Sequence, residues 1–262
     1  MSIFEAVFLA VLQGITDFLP ISTSGHLLLF QRIFGQEEGR FTYIIVLHVA
    51  TLIPVIVVYF NRIKSLVKNP FQKLMLLLVL GTIPAVIAAL LLGDVIDTLF
   101  TGNFLPYAFL ATAVILIVTD KAKQGTKKGG EITKRDAICI GIAQAIAIIP
   151  GVSRSGSTIG AAVACDIDRE EAANFSFMLS IPAAAGATVL EIRQIIIGAT
   201  NLEFVFSLPV ILGFFAAMLA CYISIKIMLK MVVESKLRYF SYYLIVVASL
   251  ILFDQLVTNF VF

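Results

Sequence analysis

The sequence is poor in charge and contains no tryptophan. Only 14% of its 262 residues are Asp, Glu, Lys or Arg, 60% are hydrophobic, and the mean hydropathy is +1.00. A soluble domain carries about 25% charged residues and must still cover its surface with polar groups. The composition therefore excludes a soluble globular protein and indicates a polytopic membrane protein. Apolar runs of roughly 20 residues, the length of a spanning helix, predict an all-α fold.

The cysteines, the net charge and the N-terminal residues exclude further classes of protein. The three cysteines, Cys139, Cys165 and Cys221, are too far apart for a zinc pattern or a disulfide framework, so we expect buried thiols. The net charge of +2 is spread over short loops, which predicts no nucleic-acid partner. No basic residue precedes Arg32, so we expect no secretory signal at the N-terminus.

Long apolar runs dominate what remains. A spanning helix needs roughly 20 mostly apolar residues. Two apolar stretches are interrupted, residues 3–30 at 16–25 and residues 137–164 at 150–158, and each interruption leaves pieces too short to span. We predict that each forms a re-entrant helical hairpin, which enters and leaves on one side. Uninterrupted stretches predict six transmembrane helices at about 42–60, 74–93, 104–119, 172–190, 204–228 and 239–260.

The basic residues are distributed unevenly among the connections. Residues 61–73, 120–136 and 226–238 are rich in Lys and Arg, whereas 94–103 contain none and 191–203 contain one. The positive-inside rule assigns the three rich connections to the cytoplasm. Six spans and two re-entrant hairpins then place both termini outside. The predicted location is the cell (inner or plasma) membrane.

The two halves of the chain resemble each other. A shift of 131 residues carries each predicted segment of the first half onto one of the second. The residues of the two breaks that coincide are Gln13 with Gln144, Ser22 with Ser153, Ser24 with Ser155, and Gly25 with Gly156. Each half holds three spans, an odd number, so the second half must run inverted. We predict one membrane domain made of two inverted repeats, 1–131 and 132–262.

Arg154 is the most informative residue of the second break. An unpaired arginine in lipid costs at least about 2.5–3.5 kcal/mol, so it requires a carboxylate or a bound anion. A half-helix that begins here adds free N–H groups and a positive dipole end. Small and hydroxyl residues surround it, namely Ser153, Ser155, Gly156 and Thr158. This combination predicts a phosphate site. The alternative is a structural ion pair with Asp17.

The first break supplies complementary groups: Gln13, Asp17, Ser22, Thr23, Ser24 and His26. Gln13 and Asp17 are one helical turn apart and share a face. Asp17 is a candidate ligand for a divalent cation or orients a base, and His26 can exchange a proton near neutral pH. A neighbouring hydroxyl is a candidate nucleophile. Taken singly, these residues also suit helix caps and core hydrogen bonds.

Four further polar residues are less informative. His48 lies within a predicted span, where it either borders the cavity or bonds a backbone carbonyl. Asp94, Asp97 and Glu191 stand at the ends of spans, where we expect them to be solvated.

Residues 13–26 and 150–158 resemble the two signature motifs of bacterial undecaprenyl-diphosphate phosphatases of the bacitracin-resistance type. The resemblance implies hydrolysis of undecaprenyl diphosphate to undecaprenyl phosphate and inorganic phosphate, which recycles the lipid carrier for peptidoglycan synthesis. It connects the protein with cell-wall biogenesis, cell shape and antibiotic resistance. This family usually has glutamate at Asp17, glutamate or glutamine at Gln13, and serine at Thr23.

Residue by residue, the resemblance implies that Thr23 is the nucleophile and His26 its proton partner. Asp17 and Gln13 form an acid/base or divalent-cation position, with Mg²⁺ or Ca²⁺ as the ion. The expected partners are a polyprenyl diphosphate and membrane lipids, and a homodimer is left open. The residues implied to hold the diphosphate are Arg154, Ser153, Ser155, Gly156, Thr158, Ser22 and Ser24.

A second function class is a transporter or flippase of a phosphorylated polyprenyl lipid or small anion. Inverted repeats and an arginine at the midplane also suit alternating access. The cluster of Thr23, His26 and Asp17 favours the enzyme, because a carrier needs an anion clamp but no nucleophile or base.

Overall fold

The computed structural model describes residues 1–34, 40–92, 95, 98, 102–197 and 202–261, and this part of the chain contains helices and no strand. The helices are α1 Ile3–Thr16, α2 Thr23–Phe34, α3 Arg40–Val58, α4 Phe60–Lys68, α5 Lys73–Leu91, α6 Leu105–Lys121, α7 Lys134–Ile146, α8 Arg154–Ala164, α9 Arg169–Ile197, α10 Leu202–Val205, α11 Leu208–Val233 and α12 Arg238–Phe253. The predicted all-α class is therefore confirmed. Asp94 and Asp97 lie outside the described residues, as does the side chain of Glu191.

Several helices are suited to a bilayer. Within the described residues, α5, α11 and the segment Arg238–Thr258 are long and apolar enough to cross a membrane, and α3 with α4 passes as a bent pair. The outward faces are apolar, as shown by Leu90 at 73% exposure and Leu219 at 63%. A surface of this kind is stable against lipid rather than water. The chain is a membrane protein.

The first predicted break is present as an interruption between α1 and α2. α1 begins with a capping box between Ser2 and Glu5 and ends at Thr16 after 14 residues. Ser22 takes the left-handed backbone conformation, with φ of 69°, and α2 begins at the next residue. Both helices are too short to span a bilayer alone.

The second break lies between α7 and α8, which have 13 and 11 residues. Gly151 has φ of 94°, and a Cβ atom there would lie 2.6 Å from the Cβ of Ala108. Only glycine meets both conditions without strain. A Cβ atom on Gly25 would lie 2.9 Å from the Cα of Gly151. The two breaks therefore contact each other backbone to backbone.

Helices of one half of the chain pack against helices of the other half. α1 packs against α11 and α7 packs against α5, while α6 and α12 pack together. Each short helix before a break thus rests on a long helix of the other half of the chain. This exchange brings the two breaks together.

Two sequence predictions need correction. The connection predicted at residues 61–73 contains α4, which is bent by 82° from α3. Its alternation of basic and apolar residues breaks the long apolar run without breaking helical structure. Cys221 is buried as expected, whereas Cys165 is only partly buried and Cys139 is exposed on α7. Its neighbourhood is apolar because α7 has an apolar outer face, so hydropathy alone did not predict its exposure.

Candidate functional site

The two breaks form the walls of one cavity of about 480 Å³. α3 contributes His48 and Ile44, and α2 contributes Gln31. The polar residues of the breaks that line the cavity are Thr16, Asp17, Ser22, Thr23, Ser24, Ser153, Arg154 and Ser155. Segments separated by about half of the chain therefore meet at one polar concavity surrounded by apolar helices.

Arg154 and Asp17 join the two breaks. The Nη2 of Arg154 lies 3.2 Å from Oδ1 of Asp17 and donates to its backbone carbonyl at 3.1 Å. The guanidinium also stands over the ring of Phe18, 5.6 Å from its centre. The ion pair that was the alternative to a phosphate site is thus present, and both partners line the cavity. It engages one nitrogen of a guanidinium that has five N–H donors, so Arg154 can also bind an anion.

Two helix N-termini point at the same cavity, because Thr23 and Arg154 are the first residues of α2 and α8. The residue before each helix caps it. The Ser22 Oγ accepts from the N–H of Gly25 at 3.3 Å, and the Ser153 Oγ accepts from the N–H of Gly156 at 3.1 Å. The remaining N–H groups and the two positive dipole ends make the cavity favourable for a polyanion.

Threonines behind the second break fix its conformation. Thr112 of α6 donates to the carbonyl of Gly151 at 2.9 Å and accepts from the N–H of Ser153 at 3.0 Å. Thr158 lies behind the cavity wall, where it donates to the carbonyl of Arg154 at 2.8 Å and bonds the hydroxyl of Ser176 at 2.6 Å. Sequence reasoning did not identify Thr112 or Ser176, since a single hydroxyl in an apolar span carries no local signal.

His26 is buried beside the cavity, at 1% exposure. Its Nδ1 lies 2.8 Å from the carbonyl oxygen of Ser22, and its Nε2 lies 2.8 Å from the hydroxyl of Tyr243. The ring stacks on Tyr243, with centroids 5.6 Å apart and planes 11° apart. Because a carbonyl can only accept, Nδ1 carries the proton, and in the neutral ring Nε2 accepts from Tyr243. His26 thereby fixes the first turn of α2.

Gln13 is also placed away from the cavity wall. It is fully buried in α1, and neither atom of its amide group has a hydrogen-bond partner. The amide of Gln144, 131 residues later, is likewise buried without a partner. An unpaired buried amide lowers the stability of the folded protein. Stability therefore does not explain why both breaks have one at matched positions.

The residues suit only one kind of metal site. Among the described residues, no three His, Cys, Asp or Glu side chains come together. Asp17 is the carboxylate on the cavity wall, and hydroxyls stand beside it. Mg²⁺ typically keeps water and binds through one or two carboxylates and substrate phosphates. The site therefore fits a cation that arrives with a diphosphate.

The chain is similar to known proteins over nearly its whole length. The sequence matches the family described as bacitracin resistance protein BacA over residues 6–250. It is 41% identical over 256 residues to an undecaprenyl-diphosphatase of Carboxydothermus hydrogenoformans, covering 97% of this chain and 98% of the relative. It is 43% identical to undecaprenyl-diphosphatase 4 of Bacillus thuringiensis, covering 93% of each chain. An undecaprenyl-diphosphatase of Methanococcus maripaludis is 36% identical, covering 95% of this chain and 98% of the relative.

Proposed function

Because the chain belongs to the bacitracin resistance protein BacA family, we propose that it hydrolyses undecaprenyl diphosphate to undecaprenyl phosphate and inorganic phosphate. The monophosphate is the lipid carrier that cell-wall synthesis reuses. The observation that carries the proposal is the single cavity in which Arg154, Asp17, Thr23 and two helix N-termini meet. The three relatives named above are hydrolases by name, so the comparisons give no support to the alternative of a transporter or flippase.

The diphosphate binds at the second break. Arg154 donates to its oxygens, and the hydroxyls of Ser153 and Ser155, 3.3 Å apart, lie on the same wall. The N-terminus of α8 adds a fixed positive potential. These groups stabilise the charge that develops on the phosphoryl oxygens during transfer. The polyprenyl tail leaves the cavity between the apolar helices.

The hydroxyl of Thr23 attacks the terminal phosphorus. The anhydride bond breaks, undecaprenyl phosphate leaves with the bridging oxygen, and a phosphothreonine remains. Water then attacks this phosphorus, releases inorganic phosphate and restores the hydroxyl of Thr23. Asp17, on the same wall, accepts the proton of the attacking hydroxyl, while His26 holds the carbonyl of Ser22 and thus the position of Thr23. Asp17 would hold Mg²⁺ or Ca²⁺ when the ion is bound with the substrate, and the ion would neutralise charge on the diphosphate.

The membrane architecture belongs to the same proposal. We assign six spans and two re-entrant hairpins to two inverted repeats, with both termini outside. The helix starts support this: α1 and α7 begin 131 residues apart, at Ile3 and Lys134, and α2 and α8 do so too, at Thr23 and Arg154. An inverted pair of broken helices places the cavity near the midplane.

The direct test is the release of inorganic phosphate from undecaprenyl diphosphate by the purified protein in detergent. We expect release that a chelator suppresses and that added Mg²⁺ or Ca²⁺ restores. Movement of the lipid between leaflets without any phosphate release would instead favour a transporter or flippase.

A further inference from the structure

A second cavity of about 510 Å³ lies between α4, α5, α9 and the turn Gly129–Glu131. It shares no lining residue with the cavity described above. Arg62, Gln72 and Lys73 form its polar edge, and Leu77, Phe175 and Met178 form an apolar wall. The cavity therefore combines a cationic entrance with an apolar interior.

The cations at this entrance are only partly neutralised. Lys73 donates to the carbonyl of Gly130 at 2.6 Å, which leaves its charge uncompensated by a carboxylate at that contact. The Nη2 of Arg62 lies 4.0 Å from Oε1 of Glu171, too far for a hydrogen bond, and the Arg62 side chain is 46% exposed. Glu171 is the acidic residue among those that line this cavity. Two cations against one carboxylate leave the entrance with a net charge of +1.

A buried donor lies at the same entrance. The Nε2 of Gln72 is buried and has no hydrogen-bond partner. Gln72 is the N-cap residue of α5, but its side chain does not cap that helix. The first turn of α5 therefore presents uncapped N–H groups next to this amide and to Lys73. All these groups are complementary to an anion.

The neighbouring helix has the composition of a helix that lies at a membrane surface. α4 is bent by 82° from α3, and its exposed residues are both apolar and basic. Val67 is 71% exposed, and Phe71, just after α4, is 100% exposed. Lys64 and Lys68 are also exposed. A short helix with this composition lies in the interface between acyl chains and headgroups.

We propose that this cavity binds an anionic phospholipid of the leaflet that contacts α4. The headgroup phosphate bonds Arg62, Lys73 and the Nε2 of Gln72, and an acyl chain follows the apolar wall at Leu77 and Phe175. Basic pockets between membrane helices recognise anionic headgroups in this way. Inorganic phosphate would satisfy the polar edge but would leave the apolar wall without a partner.

Native mass spectrometry of the purified protein tests the proposal with phosphatidylglycerol and phosphatidylcholine of equal chain length. The cavity variant carries Arg62→Gln and Lys73→Gln, and the matched control carries Lys64→Gln and Lys68→Gln, which remove the same charge from α4 outside the cavity. We expect the cavity variant to bind phosphatidylglycerol roughly tenfold to thirtyfold more weakly, because each basic side chain near an anionic headgroup contributes about a factor of five. The control and phosphatidylcholine binding should not change.

Three results would overturn the proposal: unchanged phosphatidylglycerol binding in the cavity variant, equal weakening in both variants, or displacement of the lipid by millimolar inorganic phosphate. If the double variant does not fold, Gln72→Glu puts a like charge beside the headgroup at nearly constant size and should weaken binding too. Phosphate release from undecaprenyl diphosphate should be the same in all these variants. The binding measurement does not require turnover, so this proposal and the proposed function can fail separately.

Discussion

Arg154 binds the diphosphate in the proposed reaction, and the geometry of its guanidinium group leads to a specific prediction. Arg154→Lys keeps the charge and the capacity to pair with Asp17, but removes the planar fork that holds two phosphate oxygens together. We expect phosphate release to fall by about a hundredfold, as when one fixed donor to a transition-state oxyanion is lost. The variant should still insert and purify. Turnover close to that of the wild type would assign Arg154 a structural role only.

Tyr243 is the residue through which His26 is held from the other half of the chain. Tyr243→Phe keeps the stacked ring and removes the hydroxyl that lies 2.8 Å from Nε2. One neutral hydrogen bond is worth about 0.5–1.5 kcal/mol, so we expect kcat/KM to fall by about threefold to tenfold. Tyr242→Phe, on the exposed side of α12, is the matched control and should not change it. If both variants behave alike, the contact with His26 does not matter for catalysis.

At the residue scale, the sequence identified the polar groups but not their orientations. Asp17, Thr23 and Arg154 were expected in one site, and all three line one cavity. Gln13 is on α1 and His26 is on α2, the two short helices of the first break. The packing of Phe109 and Tyr243 around His26 decides which way its ring points. Tyr243 is one of several tyrosines in an apolar span, so its role depends on a contact 217 residues away in sequence. Local patterns contain no such information.

At the scale of elements, the two breaks were predictable because glycine, proline and hydroxyl residues interrupt the apolar runs there. α8 begins at the predicted arginine, capped by Ser153. α4 was missed because its basic residues resemble those of a loop and nine residues are too few for a clear period. The bend between α3 and α4 depends on tertiary packing, which the pattern of residues along the sequence does not predict.

Gly151→Ala tests whether the close packing of the second break against α6 supports the fold. Gly151 has φ of 94°, and the new Cβ would lie 2.6 Å from that of Ala108. The left-handed conformation alone costs a non-glycine residue roughly 1–2 kcal/mol, and the clash adds to this. We expect a lower Tm for the protein in detergent and reduced phosphate release, because Arg154 follows three residues later. Gly130→Ala, which meets nothing within 4 Å, is the control and should leave Tm unchanged.

For the whole molecule, we expect residues 61–73 and 120–136 to face the cytoplasm and the connection before α6 to face outside. Single cysteines at Asn103 and Lys123, both exposed, report these sides when the native cysteines have been replaced. The nearby glycines are unsuitable, since Gly102 has φ of 89° and a side chain on Gly125 would collide with Ile167. A membrane-impermeant thiol reagent should label position 103 but not 123 in intact cells. Equal labelling of both would contradict the inverted arrangement.

We propose that Thr23 attacks phosphorus in the cavity between the two breaks. The most direct measurement is inorganic phosphate released from undecaprenyl diphosphate by Thr23→Val and Thr23→Ser, alongside binding of the diphosphate to each variant. Valine keeps the shape of threonine without a hydroxyl, so release should fall by about a thousandfold or more while binding at Arg154 persists. Serine keeps the hydroxyl and opens the approach to phosphorus, so Thr23→Ser should match or exceed the wild type. Hydrolysis by Thr23→Val at nearly the wild-type rate would show that water, and not Thr23, attacks phosphorus.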